Sequence, residues 1–143
     1  MVTQHSILLI EDSPGERELF CLALIQTSLN VALFAEQDAE AALHFLNNHA
    51  DLPSLILLDW HLGKVRGDGF LKRLRADTRL AAIPVIVFTT SDDASDLSLA
   101  YASGANGYVV KPGTFAELIQ CTSDICRYWL DRNRVPHMIG TTC

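Results

Sequence analysis

Five short apolar runs punctuate this chain of 143 residues, and a stretch with helical spacing follows each one. The runs are Ile7–Ile10, Val31–Ala35, Leu55–Leu58, Pro84–Phe88 and Tyr108–Val110. Strands that alternate with helices predict an α/β fold, a doubly wound five-stranded parallel sheet with helices on both faces. Runs this apolar belong to strands buried on both sides, and their crossovers are expected to be right-handed. Pro14 suits the first turn of a helix whose stripe is read as Leu19, Leu22, Ala23 and Gln26. Asp38 is placed to cap a second helix with Ala41, Ala42, Phe45 and Leu46 inward. A third helix is expected over 69–75, and a fourth over 94–103 that stops at Gly104. Thr114 and Glu117 form a T-x-x-E capping box. Behind it Phe115, Leu118, Ile119, Thr122, Ile125, Cys126 and Trp129 recur at helical spacing.

Length fits one domain, read as residues 1–130 with a tail over 131–143. Hydrophobic residues make up 49% and charged residues 20%, the profile of a soluble globular chain. A net charge of -6 without a Lys/Arg run argues against nucleic acid as a partner. The longest apolar runs are strand-sized and no signal peptide opens the chain, so neither membrane insertion nor export is expected and the reading is cytoplasmic. Cys21, Cys121, Cys126 and Cys143 form no C-x-x-C pair and read as free thiols. His5, His44, His49 and His137 read as surface residues, and Trp60 as packing.

In such a sheet, ligands bind outside the carboxyl ends of the strands. Glu11 and Asp12 follow the first run, Asp59 the third, Thr89 ends the fourth and Lys111 follows the fifth. Three carboxylates in one crevice resist ionisation unless a cation compensates. Mg2+ suits them, because it takes oxygen ligands and leaves positions for water and phosphate. A carboxylate can act as nucleophile and form an aspartyl phosphate. The phosphoryl oxygens then need compensation, which Mg2+, the Lys111 ammonium and the Thr89 hydroxyl together supply.

With Ile10-Glu11-Asp12, Leu57-Leu58-Asp59, Phe88-Thr89-Thr90-Ser91, Gly104-Ala105 and Val110-Lys111-Pro112 in order, the chain resembles a response-regulator receiver domain of two-component signalling. The intervals from Asp59 to Thr89 and from Thr89 to Lys111 match that family without a gap. The resemblance implies a flavodoxin-like sheet of order 2-1-3-4-5 and a phosphoacceptor signalling protein rather than an enzyme. It implies Asp59 as phosphoacceptor, with Mg2+ held by Glu11, Asp12, Asp59 and the backbone carbonyl of His61. Thr89, Thr90 and Lys111 would meet the phosphoryl group, Tyr108 would follow as the aromatic switch residue, and the Lys111–Pro112 bond would be cis. Three positions depart from the family pattern. His61 stands where Asn is common, Gly63 where Pro is common, and Arg66 precedes Gly67 where Asp-Gly is usual, with Asp68-Gly69 two positions later. Gly63 is expected to loosen the loop, and the His61 imidazole to alter the rate of phosphoryl loss.

The implied donor is a sensor histidine kinase, and the output is contact with other proteins. Glu11-Asp12-Ser13-Pro14-Gly15-Glu16, Thr89-Thr90-Ser91 and Tyr128-Trp129-Leu130 resemble the small regulators paired with bacterial and cyanobacterial phytochrome kinases, so a bacteriophytochrome is the expected partner. Apolar Ile125, Tyr128, Trp129 and Leu130, with Val135, Pro136, Met138 and Ile139 in the tail, leave two readings: a tail that folds back on its own domain or stays disordered, or one that completes the expected homodimer. Three rivals fit less well. An aspartyl-phosphate hydrolase would have a second carboxylate in Asp59-Trp60-His61. A phosphorylation-incompetent binding module would have lost an acid, the Thr or the Lys. A flavin phosphate would be repelled by Glu11-Asp12.

Overall fold

Side chains alternate across a strand, and that alternation divides the core of this protein in two. The computed structural model describes residues 4–136. Five strands form one parallel sheet: β1 (His5–Ile10), β2 (Val31–Glu36), β3 (Leu55–Leu58), β4 (Val85–Thr89) and β5 (Gly107–Val110). Their order is β2-β1-β3-β4-β5, as expected. The helices are α1 (Pro14–Gln26), α2 (Ala39–Asn48), α3 (Asp68–Ala76), α4 (Ala94–Ser103) and α5 (Phe115–Cys126), and α5 runs on as a π-helical turn over Arg127–Arg132. Ile7, Leu9, Leu57, Ile86 and Phe88 meet Phe20 and Leu24 of α1 and Ile125 and Cys126 of α5. Their strand neighbours Leu8, Ile10, Leu58 and Val87 meet α2, α3 and α4 through Leu43, Leu46, Leu71, Leu74 and Ala100. Each large aliphatic side chain buried in this way contributes about 1.5–3 kcal/mol.

The caps at Asp38 and Gly104 form as read, and of the box at Thr114 and Glu117 the threonine half forms. Asp38 accepts from the Ala41 N–H at 2.8 Å and Thr114 from the Glu117 N–H at 3.2 Å, and α4 ends at Gly104. The face of α1 is a correction. Phe20, Ala23 and Leu24 are buried, whereas Leu19 and Leu22 are exposed. Residues 19–25 are apolar all round the helix, so periodicity does not select a stripe. The sheet selects it, through an edge-to-face contact of Phe20 with Phe88 at 6.0 Å between centroids.

His49 is also not a plain surface residue. It is half-buried, stacked on Phe45 and edge-on to Phe34. His5 and His44 are exposed. Cys21 is exposed, Cys121 is half-buried, and burial pushes the Cys126 thiol up to about 11. His137, Met138, Ile139 and Cys143 lie outside the described residues. Among those residues no helix is long and apolar enough to cross a membrane.

Candidate functional site

Parallel register sets neighbouring strand ends side by side. Ile10 pairs with Leu58, Leu58 with Val87 and Thr89 with Val110. Backbone bonds continue past the strands: the Asp59 N–H donates to the Ile10 carbonyl at 3.0 Å, and the Lys111 N–H to the Thr89 carbonyl at 2.7 Å. Glu11, Asp59, Thr89 and Lys111 therefore converge at one edge of the sheet, with Glu11, Asp59 and Thr89 almost wholly buried.

Lys111 organises the charge. Its Nζ donates to Glu11 at 2.5 Å and to Glu16 at 2.8 Å, and lies 3.7 Å from Asp59 Oδ2. Carboxylate oxygens of Glu11, Glu16 and Asp59 fall within 4.8 Å of one another. Burial pushes the Glu11 carboxyl up to about 7, against the opposing pull of Lys111. Burial works against the Lys111 ammonium too, but its bonds to Glu11 and Glu16 outweigh that and hold it above its ordinary value. Three acids thus share one ammonium, and a buried one resists ionisation. An oxygen-seeking divalent cation would relieve this, so the donor set fits Mg2+. Asp12 is not drawn into the cluster. It is exposed, and its Oδ2 accepts the Gly63 N–H at 3.0 Å.

The segment after β3, where Gly63 is expected to loosen the loop, folds back on itself as a tight turn. His61–Leu62 pairs antiparallel with Val65–Arg66 in a two-residue ladder. Gly63 makes the turn at φ +66°, a conformation that favours glycine, and its N–H ties the turn to Asp12. Gly67 is needed for space, because a Cβ there would come within 2.9 Å of Leu58 and 3.0 Å of Trp60.

Thr89 is buried, its Oγ1 accepting a long 3.5 Å bond from the Ser91 N–H, and Thr90 is exposed. Tyr108 is half-buried and its hydroxyl donates to the Ser91 carbonyl at 2.9 Å. The cis expectation for Lys111–Pro112 is corrected: no described peptide bond is cis. The trans isomer is intrinsically lower by about 0.5–1 kcal/mol, and Lys111 reaches both glutamates with it.

Two participants escaped the sequence reading. Glu16 completes S-x-x-E with Ser13, a pattern that also reads as a capping box. In the fold Glu11 Oε2 takes the Ser13 N–H at 3.2 Å, leaving Glu16 free to reach Lys111. Asp96 shares the buried face of α4 with Ala100 and Ser103. A carboxylate at a core-facing position was the available signal. It accepts from Trp60 Nε1 at 3.2 Å and the Ser91 hydroxyl at 2.7 Å, and pairs with His61 Nε2 at 2.8 Å. The Ser91 hydrogen bond, then that of His61, outweighs the burial and holds the Asp96 carboxyl below its ordinary value. Trp60 is wholly buried packing, as read, with this added polar contact.

Known proteins are similar to this chain in sequence and in fold. Residues 7–123 match the response regulator receiver domain family. A probable methanogenesis regulatory protein, FilR2 of Methanothrix harundinacea, is 37% identical over 91% of this chain and 86% of its own. Response regulator Rcp1 of Synechocystis is 31% identical over 91% of this chain and 92% of its own, and its Mn2+-bound crystal structure superposes with a TM-score of 0.80 at 30% identity over 93% of this chain and 99% of that one. The phosphorylated cyanobacterial phytochrome response regulator RcpA gives a TM-score of 0.85 at 28% identity, over 94% of this chain and 100% of that one. The parallel sheet, the acids and lysine at its carboxyl edge and these matches agree, and the chain belongs to the response regulator receiver domain family.

Proposed function

We propose that Asp59 accepts a phosphoryl group from a phosphohistidine of a sensor kinase and that the chain signals through the resulting change of shape. One observation carries this reading: Asp59 is the least satisfied acid in the crevice. Glu11 is fully engaged by Lys111 and the Ser13 N–H. Asp59 receives only a 3.4 Å contact from the His61 N–H and stands 3.7 Å from the Lys111 ammonium. One of its oxygens is free to attack phosphorus. The new O–P bond forms as the P–N bond to the donor imidazole breaks, and the imidazole leaves with that electron pair. Glu11 and Asp59, joined by the His61 carbonyl and by Asp12 on release of its bond from the Gly63 N–H, would hold Mg2+, which when bound supplies positive charge against the carboxylates and the phosphoryl oxygens. Lys111, freed from Glu16, would pair with a phosphoryl oxygen. The Thr89 hydroxyl, with Thr90 beside it, would turn to another, and Tyr108 would follow. The phosphoryl group biases a pre-existing equilibrium between two arrangements.

Finer parts of this reading rest on likeness and on exposed surface. The description of RcpA as a phytochrome response regulator supports a bacteriophytochrome kinase as donor, and a cytoplasmic location fits that reading. Exposed Val110, Phe115 and Tyr128 at the β5–α5 edge support a homodimer to which the tail over 131–143 contributes outside the receiver domain over 1–130. Light scattering that finds only monomer, with and without phosphate, removes the dimer. Intact mass after incubation with Mg2+ and acetyl phosphate tests the main reading. One added phosphate is expected, and none in Asp59→Asn; equal gain by the variant contradicts it.

A further inference from the structure

One buried carboxylate has no part in the chemistry described so far. Asp96 lies in the first turn of α4 with 6% of its surface exposed. It is not needed as a cap, because Asp93 already accepts the Ser95 N–H at 2.8 Å. Its side chain turns inward and meets three groups from two loops. Trp60 and His61 directly follow Asp59. Ser91 stands two residues beyond Thr89, and its own backbone carbonyl receives the Tyr108 hydroxyl. A single carboxylate therefore joins the phosphoacceptor loop, the loop carrying Thr89 and the aromatic side chain on β5.

We propose that Asp96 is a positioning residue for the phosphoryl switch, clamping the loop after β3 to the loop after β4 and holding Thr89, Ser91 and Tyr108 in the resting arrangement. The clamp stands on geometry alone, while its role in switching rests on the phosphorylation reading. Removing the acceptor strands a buried indole N–H, and linked polar groups of this kind act as a unit. Movement of Thr89 toward a phosphoryl group on Asp59 draws Ser91 with it and loosens the Ser91–Asp96 bond. The clamp thus opposes the switch, and weakening it shifts the resting population toward the active arrangement.

The test is amide exchange and indole N–H resonances by NMR on the full chain, in wild type, Asp96→Asn and Asp96→Ala. In Asp96→Ala the amides of residues 91–93 should exchange at least about tenfold faster, the factor that about 1.4 kcal/mol represents. The Trp60 indole resonance should move while that of Trp129 stays. Asp96→Asn, which keeps an acceptor for Trp60, should recover much of both effects. Acetyl phosphate should then change exchange over residues 89–93 less in Asp96→Ala than in wild type. Exchange within about twofold of wild type, or acceleration spread evenly over all five strands, would overturn the clamp. Should Asp96→Ala not fold, Ser91→Ala removes one donor alone and must accelerate the same amides; unchanged exchange there also overturns it. A wild-type chain that takes up no phosphate by mass overturns the switching role, while the exchange of the unphosphorylated protein still decides the clamp.

Discussion

Two polar clusters flank Asp59, and they are built by different means. On one side Lys111 gathers Glu11, Glu16 and Asp59, with charge set against charge. On the other, Asp96 gathers Trp60, His61 and Ser91 around one carboxylate whose hydrogen bonds are satisfied. The first cluster has more acid than ammonium, and burial penalises Glu11. It is poised to gain from an added cation and to exchange partners. The second is complete in itself. Such a contrast suits a site in which chemistry occurs on one side and a conformational contact is held on the other.

The largest effect is expected from Lys111→Ala, which leaves three acids facing one another around a buried position. The metal-free variant should lose about 3 kcal/mol, as when one partner of a buried pair is removed, by urea unfolding. Compared with wild type at the same Mg2+ concentration, the ion should narrow that loss in Lys111→Ala and leave the loss in Asp96→Ala unchanged, because removing Asp96 does not alter the acids that would bind the cation. Equal recovery in both would erase the distinction between the clusters. Lys111→Ala should still accept phosphate yet show a blunted loop response; an undiminished response contradicts its role.

The same shortage of positive charge gives a pH dependence. Glu11 titrates near 7 in the fold against an ordinary 4.5, so between those values the native state binds more protons than the unfolded one. The Glu11 contribution to stability is therefore full below about 4.5 and is lost as pH rises through about 7. Mg2+ affinity should move oppositely, rising over that interval as the carboxylate form becomes available. Titration calorimetry checks both the direction and the proton release, and affinity flat over that interval contradicts the account. Glu16→Gln should have the smallest effect on stability, under about 1 kcal/mol, because the Glu16 side chain is 42% exposed. Faster phosphorylation by acetyl phosphate is expected alongside, since a competitor for Lys111 is weakened.

What could be read from the sequence follows the same division. Glu11, Asp59, Thr89 and Lys111 stand at strand ends, where topology alone fixes who meets whom, so all four were legible. Asp96 was not, because Trp60 and His61 reach it across 36 and 35 residues, through packing of α4 on the sheet. Glu16 was hidden by a pattern with a second meaning, a capping box. The stripe of α1 was misread because apolar residues surround the helix. The tight turn at Gly63 was not legible for a similar reason. A glycine permits many turns, and only the structure shows its N–H tied to Asp12.

On the proposed function Asp59, among the acids of this crevice, carries the phosphoryl group. Borohydride reduces an aspartyl phosphate to homoserine at the modified position. After incubation with Mg2+ and acetyl phosphate, reduction and peptide sequencing by mass spectrometry should find homoserine at position 59 alone. Reduction product at position 12, or bound phosphate with no homoserine at 59, would contradict the account.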